Sequence, residues 1–368
     1  MRRIIIGIVL LSFLSLAGCR KGGTLTAVGE VVFPLGFTTT AAEQCFEYGG
    51  EEYMAFANLS SNKEVSLFRP DGRKVLSVDI RPLIEKTKTN YVTFFFAAPD
   101  TLLLLSRYSN LVAAVDSNGN PLFVWDFQKL LFKNAVELAP PLYYLAGNLR
   151  VGTLFSSYKA YYTLGLRDSN LDKECDVGWY YRPHIMTCSH LPNGEIEFQA
   201  DSLYPRFAGS DKDVTEFNRM LCLDTMNIVW STYCDSLYLY DLSGKLKKVV
   251  GIHSDHIAAR LTPPTHVASS KNLDLRSEIA REGSFIRSLL YDKYRQLYFC
   301  FVVGKTFEGK HDFYVIVLDK NLKKIDEIPF VDRMYYSSAF VGRQGLYVKQ
   351  AQKNNFRNCT FTIFRYEK

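Results

Sequence analysis

Two interleaved series of turn-forming residues run along this chain at a nearly constant spacing, and a chain punctuated in that way has few ways to fold. Glu64–Ile80 shows the unit: the β-type run Val65-Ser66-Leu67-Phe68, the turn Pro70-Asp71-Gly72, then Lys74-Val75-Leu76-Ser77-Val78. Leu111–Phe127 repeats it around Asn118-Gly119, and Phe313–Phe330 around Lys320-Asn321. Short β-type runs joined by Asp-Gly or Asn-Gly read as hairpins, because these residues accept the positive φ of tight turns. One series falls near Gly50, Pro99, Gly147, Asn193, Ser243, Tyr294 and Gln344, at intervals of about 49, 48, 46, 50, 51 and 50 residues. The second falls near Asp71, Asn118, Ser169, Met226, Asn272 and Asn321. Two turns per repeat of this length make four strands, the size of one β-propeller blade.

Seven such repeats fill the chain from Thr24 to its end. The expected fold is therefore an all-β propeller of seven four-stranded blades. Because Thr265–Leu275 is a poor strand pair, the alternative is six blades with an insertion. The last repeat runs Ser337–Val341, Gly345–Gln350 and Cys359–Tyr366, then stops after three strands. Gly29-Glu30-Val31-Val32-Phe33 is an unclaimed strand near the start, and by completing the final blade it would close the ring and remove two exposed edges. Helical patterning is confined to Asp79–Lys88 and Phe127–Leu138. The 26 Phe and 23 Tyr against three Trp suit strands.

The N-terminus sets the compartment. Arg2 and Arg3 precede the apolar run Ile4–Ala17, which is shorter than the roughly 20 residues needed to span a bilayer and reads as the apolar region of a signal peptide. Its ending, Leu16-Ala17-Gly18-Cys19, resembles the bacterial lipobox, which implies acylation of Cys19. The expected organisation is a signal peptide over 1–18, a lipidated Cys19 and short tether over 19–28, and one propeller over 29–368. The full chain carries 44 basic and 38 acidic side chains; removal of Arg2 and Arg3 with the signal leaves 42 against 38, a net +4. The basic residues form no run of five, so nucleic acid is excluded as the expected partner. By resemblance, Arg20 after the Cys points to the outer membrane, since inner-membrane lipoproteins often carry Asp there. The lack of acidic residues after it points to the periplasmic leaflet.

The lipobox, the propeller-like repeats and the stretch Leu237-Tyr238-Leu239-Tyr240-Asp241-Leu242-Ser243-Gly244-Lys245 together resemble Bacteroidetes lipoproteins with a domain of unknown function, neighbours of the TolB-like and six-bladed propeller lipoproteins. The resemblance implies a propeller fold and an envelope location. It implies no reaction.

Candidate chemistry is sparse. The chain has no Gly-x-Ser-x-Gly elbow, His-Glu-x-x-His, P-loop or Gly-x-Gly-x-x-Gly. His253-Ser254-Asp255-His256 with His266 has metal-ligating residue types, but an i, i+3 pair on a strand points to opposite faces, so no metal and no cofactor is expected. His184 and His190 flank Ile185–Ser189, which reads as an innermost strand, and they carry the alternative of an envelope lyase or hydrolase with an axial His or metal site. Glu51 and Glu52 read as solvated strand or turn residues. Apart from Cys19 there are seven Cys, an odd number, with Cys222–Cys234 the short-range disulfide to test. Cys300, between Phe299 and Phe301, reads as a small buried hydrophobe.

The most suggestive feature is an aromatic and basic content in loops expected to share one rim: Arg107 and Tyr108, Tyr181, Arg182 and His184, Arg206, Arg333 and Tyr336. Tyr offers amphipathic contact area and Arg a planar fork of donors, the chemistry of recognition surfaces. The favoured reading is a non-catalytic binding or scaffold propeller, anchored to the membrane through Cys19, that takes a peptide, glycan or protein ligand.

Overall fold

The computed structural model of the protein describes residues 22–36, 42–57, 59, 63–106, 111–126, 159–167, 181–190, 196–202, 218–223, 225–231, 236–241, 245–256, 285–307, 310–330, 334–350 and 358–368. Its strands form antiparallel meanders arranged as a ring. Five of these blades have four strands. The first is β2–β5 (Ala42–Tyr48, Glu51–Ala57, Glu64–Phe68, Lys74–Asp79), and the second β6–β9 (Tyr91–Ala98, Thr101–Ser106, Leu111–Asp116, Pro121–Asp126). Two more are β13–β16 (Asn218–Cys222, Asn227–Ser231, Ser236–Tyr240, Leu246–Gly251) and β17–β20 (Phe285–Asp292, Leu297–Phe307, Lys310–Leu318, Lys324–Pro329). The last, β21–β23 (Met334–Gly342, Gly345–Gln350, Asn358–Glu367), is completed by β1 (Thr24–Pro34). A three-stranded sheet, β10–β12 (Lys159–Arg167, Tyr181–His190, Ile196–Ser202), falls between the second and third of these blades in sequence. First strands stand beside first strands, in the order β10, β13, β17, β21, β2, β6.

The expected seven blades, and the alternative six, are both corrected: five four-stranded blades are present among the described residues. The regular spacing holds only near the two ends of the chain. First strands start 49 residues apart from Ala42 to Tyr91 and from Phe285 to Met334, but 68, 59 and 67 residues apart in between. Within the long intervals the two turn series exchange roles. Met226 lies between a first and a second strand, and Ser243 between a third and a fourth, the reverse of Asp71 and Gly50. Gly147, Ser169, Asn193, Asn272, the stretch 265–275 and the helix expected over 127–138 lie outside the described residues, as do residues 1–21 with Cys19.

The inner strands read as unbroken apolar runs because both of their faces are covered by neighbouring blades. In β3, Tyr53, Ala55 and Ala57 enter the core shared with β6–β9, while Met54 and Phe56 enter the core shared with the last blade. In β18, Tyr298, Cys300 and Val302 face β13–β16, and Phe299 and Phe301 face the last blade. Cys300 is buried, as expected, and burial pushes its thiol up to about 12, with Glu327 adding to the shift. The period-2 alternation of the backbone thus distributes one strand between two cores. Outer strands such as β16 are mostly exposed.

Closure by the N-terminal strand is as expected, and more extensive. β1 pairs antiparallel with β23 from Thr24↔Glu367 to Pro34↔Asn358, with an irregularity between Ala27 and Gly29, so pairing begins five residues ahead of Gly29. Phe33 is fully buried, with ring centroids 4.7 Å from Phe56, 5.6 Å from Phe68 and 5.7 Å from Phe361. The helix expected near residues 79–88 is α1 (Arg81–Thr87), which drops Leu83 into the core between the first two blades and ends at Lys88 in the left-handed region. Among the described residues no helix is long and apolar enough to cross a membrane.

Four turns between third and fourth strands share one backbone construction, in which the N–H of Arg69, Asp116, Asp241 or Asp319 donates to the carbonyl four residues on. Asp116 Oδ1 accepts from the N–H groups of Asn118 and Asn120 at 2.9 and 2.8 Å, and Asp319 Oδ1 from those of Asn321 and Lys323 at 2.9 Å. Gly72 and Gly119 sit in these turns at φ 87° and 82°, and each lies against a backbone carbonyl of the preceding blade's outer strand, Val32 and Asp79 respectively. A β-carbon at either position would meet both a disfavoured φ and that carbonyl. Phe33→Ala is expected to lower the unfolding free energy by about 3–5 kcal/mol, read from urea melts, because it empties the centre of the closing core. Gly119→Ala is expected to cost more than about 1 kcal/mol in the same assay, whereas Asn118→Ala, which keeps the backbone path, costs less.

Candidate functional site

First-to-second-strand turns of three successive blades meet on one face of the ring, and their residue types are complementary. The turn of β2 and β3 supplies acids, while those of β17 and β18 and of β21 and β22 supply bases. Register places Glu47 directly opposite Glu52, with Cys45 two residues along the same face of β2. Two like charges facing each other across a ladder repel unless a partner joins them.

The partners come from the other blades. The Lys293 ammonium pairs with Glu47 Oε2, and the Tyr294 hydroxyl donates to Glu47 Oε1 at 2.7 Å while lying 3.2 Å from Glu52 Oε1. Arg343 donates three ways: Nε to Glu47 Oε1 at 2.7 Å, its backbone N–H to Glu52 Oε1 at 2.7 Å, and Nη2 to the Gly50 carbonyl at 2.8 Å. Arg295 pairs with the buried Asp292 at 3.0 Å and donates to the carbonyls of Arg343 and Gln344 at 3.0 and 3.2 Å. Glu52 is only 4% exposed, with the Cys45 thiol 3.7 Å from its Oε1. The Tyr347 hydroxyl is buried with no hydrogen-bond partner among the described residues.

The protonation states follow from these contacts. Partial burial pushes the Glu47 carboxyl up, but hydrogen bonds from Lys293, Tyr294 and Arg343 outweigh it and hold it down at about 2. Burial, reinforced by the charge of Glu52, pushes the Cys45 thiol well up. Burial and the bond to Glu47 push the Tyr294 hydroxyl up as well. At neutral pH, Glu47 has no proton to give and Cys45 is a neutral thiol, so neither is poised for acid–base or nucleophilic chemistry. What the arrangement does chemically is tie three blades together.

A second polar cluster joins β13–β16 to β17–β20. Glu327 accepts from the Ser254 hydroxyl, from the Asp255 N–H at 2.7 Å and from the Lys324 ammonium at 2.6 Å. Lys324 also pairs with Asp255 at 2.7 Å, and His256 stacks on Tyr314 at 4.6 Å. Of the metal-type group considered in the sequence, Asp255 and His256 are thus engaged with protein side chains. His266 lies outside the described residues.

Of the residues expected on one rim, those the structure describes divide between two ends of the ring. Arg107, Tyr108, Arg206 and Arg333 lie outside the described residues. Tyr181, Arg182 and His184 lie in β11 and Tyr336 in β21, so these four are strand residues and not loop residues. Tyr181 pairs with Arg167 at the end of β10, on the first-to-second-strand side, whereas Tyr336 lies near the start of β21 at the opposite side. The longer interval before β10 shifted the phase of the repeat, so that Tyr181, Arg182 and His184, read as part of a rim loop, open a second strand. β11 is also the middle strand of its sheet, so Ile185–Ser189 is not innermost and His184 and His190 do not lie on the axial strand. Of the Cys222–Cys234 pair, Cys222 ends β13 and residue 234 lies outside the described residues.

Sequence reading missed the cluster around Glu47. Glu52 read as solvated, and Tyr294 and Gln344 served only as spacing landmarks. The available signal was positional: acids at one first turn, and bases at the equivalent turn of two other repeats.

Comparison with solved structures shows the fold. The chain is similar to a member of the DUF4221 family from Bacteroides vulgatus, with a TM-score of 0.65 and 18% identity over 95% of this chain and 99% of that one. It is also similar to a Bacteroides fragilis protein named as exported, with a TM-score of 0.51 and 10% identity over 95% of this chain and 97% of that one. No protein-family model and no curated protein matches the sequence. Glu47→Gln is expected to destabilise the protein by about 1–3 kcal/mol at pH 7. Its folded-state value of about 2 lies below the ordinary 4.5, so the contribution is complete above that ordinary value and fades as pH falls toward 2. Urea melts of both proteins across that range should converge at the acid end.

Proposed function

We propose that the protein is an exported, lipid-anchored β-propeller of the cell envelope that works by binding a protein, peptide or glycan rather than by catalysis. The observation that carries this reading is the state of the charged side chains on the first-to-second-strand face. Glu47, Glu52 and Arg343 are engaged with one another across blades, and the Glu47 carboxyl is held down at about 2 by Lys293, Tyr294 and Arg343, so the cluster ties blades together instead of standing ready for proton transfer. A rigid closed ring of this kind offers a broad contact surface without needing catalytic residues.

Support for the compartment is the order of Arg2-Arg3, apolar run, Gly18 and Cys19, together with the fold shared with the Bacteroides fragilis protein named as exported. The periplasmic leaflet of the outer membrane is the proposed address, with Cys19 as the acylated residue.

A thermal-shift series against envelope glycans, peptides and divalent metals, with and without chelator, tests the reading. A ligand at 100 times its Kd stabilises the native state by about 2.7 kcal/mol, enough to raise Tm visibly. The expected result is a rise with a glycan or peptide that chelator leaves unchanged. A rise that requires a divalent metal would overturn the non-catalytic reading.

A further inference from the structure

We infer that the face carrying the first-to-second-strand turns is the one held against the bilayer, an inference that rests on the acylation of Cys19 proposed above. Two observations fix it: where the described chain begins, and how little chain separates that point from the anchor.

β1 is the outermost strand of its blade and begins at Thr24, opposite Glu367. β23 in turn pairs Phe364 with Leu346, one residue into β22, so Thr24, Glu367 and the Arg343-Gln344 turn occupy the same end of the blade. The chain is already held before the strand starts. The Gly23 N–H donates to Asp326 on β20 of the neighbouring blade, and the Tyr366 hydroxyl donates to the same carboxylate oxygen at 3.2 Å. Thr26 donates to Glu367 at 3.0 Å. Nothing between Gly22 and β1 is left as slack.

From Cys19 to Gly22 there are three peptide steps, a reach of at most about 11 Å. A seven-residue strand such as β2 rises about 23 Å, which is the thickness of the ring at its first strands. The tether is therefore too short to pass around the blade and present the opposite face to the lipid. An acyl chain on Cys19 brings down the perimeter at β1 and β20, and with it the turns that hold Lys293, Lys320 and Lys323. These three lysines are exposed, as are Lys86 and Lys88 at and just beyond the end of α1, on the connection between a fourth strand and the next first strand and hence on the far side. The occupant of the near face is a phospholipid surface.

The test uses the full chain, exported and processed by a host that acylates lipoproteins, in phosphatidylcholine nanodiscs, beside Cys19→Ser in solution. Lysines are labelled with a small amine-reactive reagent and quantified by mass spectrometry. The expected result is a severalfold loss of reactivity at Lys293, Lys320 and Lys323 in nanodiscs, with Lys86 and Lys88 unchanged. A long Gly/Ser insertion between Lys21 and Gly22 should restore reactivity at the first three while the protein stays acylated. The mass of the N-terminal peptide reports acylation separately. Acylated protein with no change at Lys293, Lys320 and Lys323, or with protection of Lys86 and Lys88 instead, overturns the orientation alone. A peptide without lipid overturns the anchor and the orientation together.

Discussion

A blade of this ring has no inner face that can be left to water. β3 and β18 alternate their side chains between two cores, and residues on both sides of each are buried. Full burial of a Phe or Met side chain contributes roughly 1.5–3 kcal/mol, so an open row of blades would lose several such contributions at each end. The row has to become a ring. Since the last blade reaches its end with only three strands of its own, the ring depends on β1 supplying the fourth, and Phe33 places that dependence at the centre of a cluster with Phe56, Phe68 and Phe361.

Apolar packing holds blades together without setting their angle or height, because it is non-directional. Directional contacts lie at the boundaries between blades. The Gln44 side-chain amide both accepts from the Phe96 N–H at 2.7 Å and donates to its carbonyl at 3.1 Å, joining β2 to β6. Arg295 reaches the carbonyls of the Arg343-Gln344 turn, and Arg343 reaches the Gly50 carbonyl. Glu327 gathers donors from the segment after β16. A guanidinium or a side-chain amide suits this task because its donors have fixed geometry and a backbone carbonyl is always available to receive them.

The turn chemistry was legible in the sequence because it is local. Asp116, Asn118 and Gly119 determine their turn without help from the rest of the chain, and so do Asp319 and Asn321. The closing strand was legible too, since a four-stranded unit that stops at three leaves an edge that some other strand must cover. Blade count was not legible. It depends on whether the residues between turn signals form strands, and a spacing of two turns is blind to an insertion that carries turn residues of its own. The Glu47 cluster was hidden for a different reason. Its acids are separated from their partners by more than 240 residues in sequence, and only the registration of three hairpins around the axis brings them together. Glu51 and Glu52 look alike as letters. Yet Glu51 is exposed and pairs with Arg69 at 2.8 Å, while Glu52 is buried beneath the Arg343 backbone, because adjacent strand residues point to opposite faces.

One face of the ring is consequently limited in what it can still do. On the first-to-second-strand side, Glu47, Glu52, Asp292, Arg295 and Arg343 are committed to one another, and a ligand that recruited one of them would have to leave another buried and unpaired. Breaking such a pair costs far more than an exposed ion pair gains. That side is suited to being held still. A fold that closes through its first strand and joins three successive blades at their first turns is thereby held by apolar packing across the blades and by paired charge at one end of them.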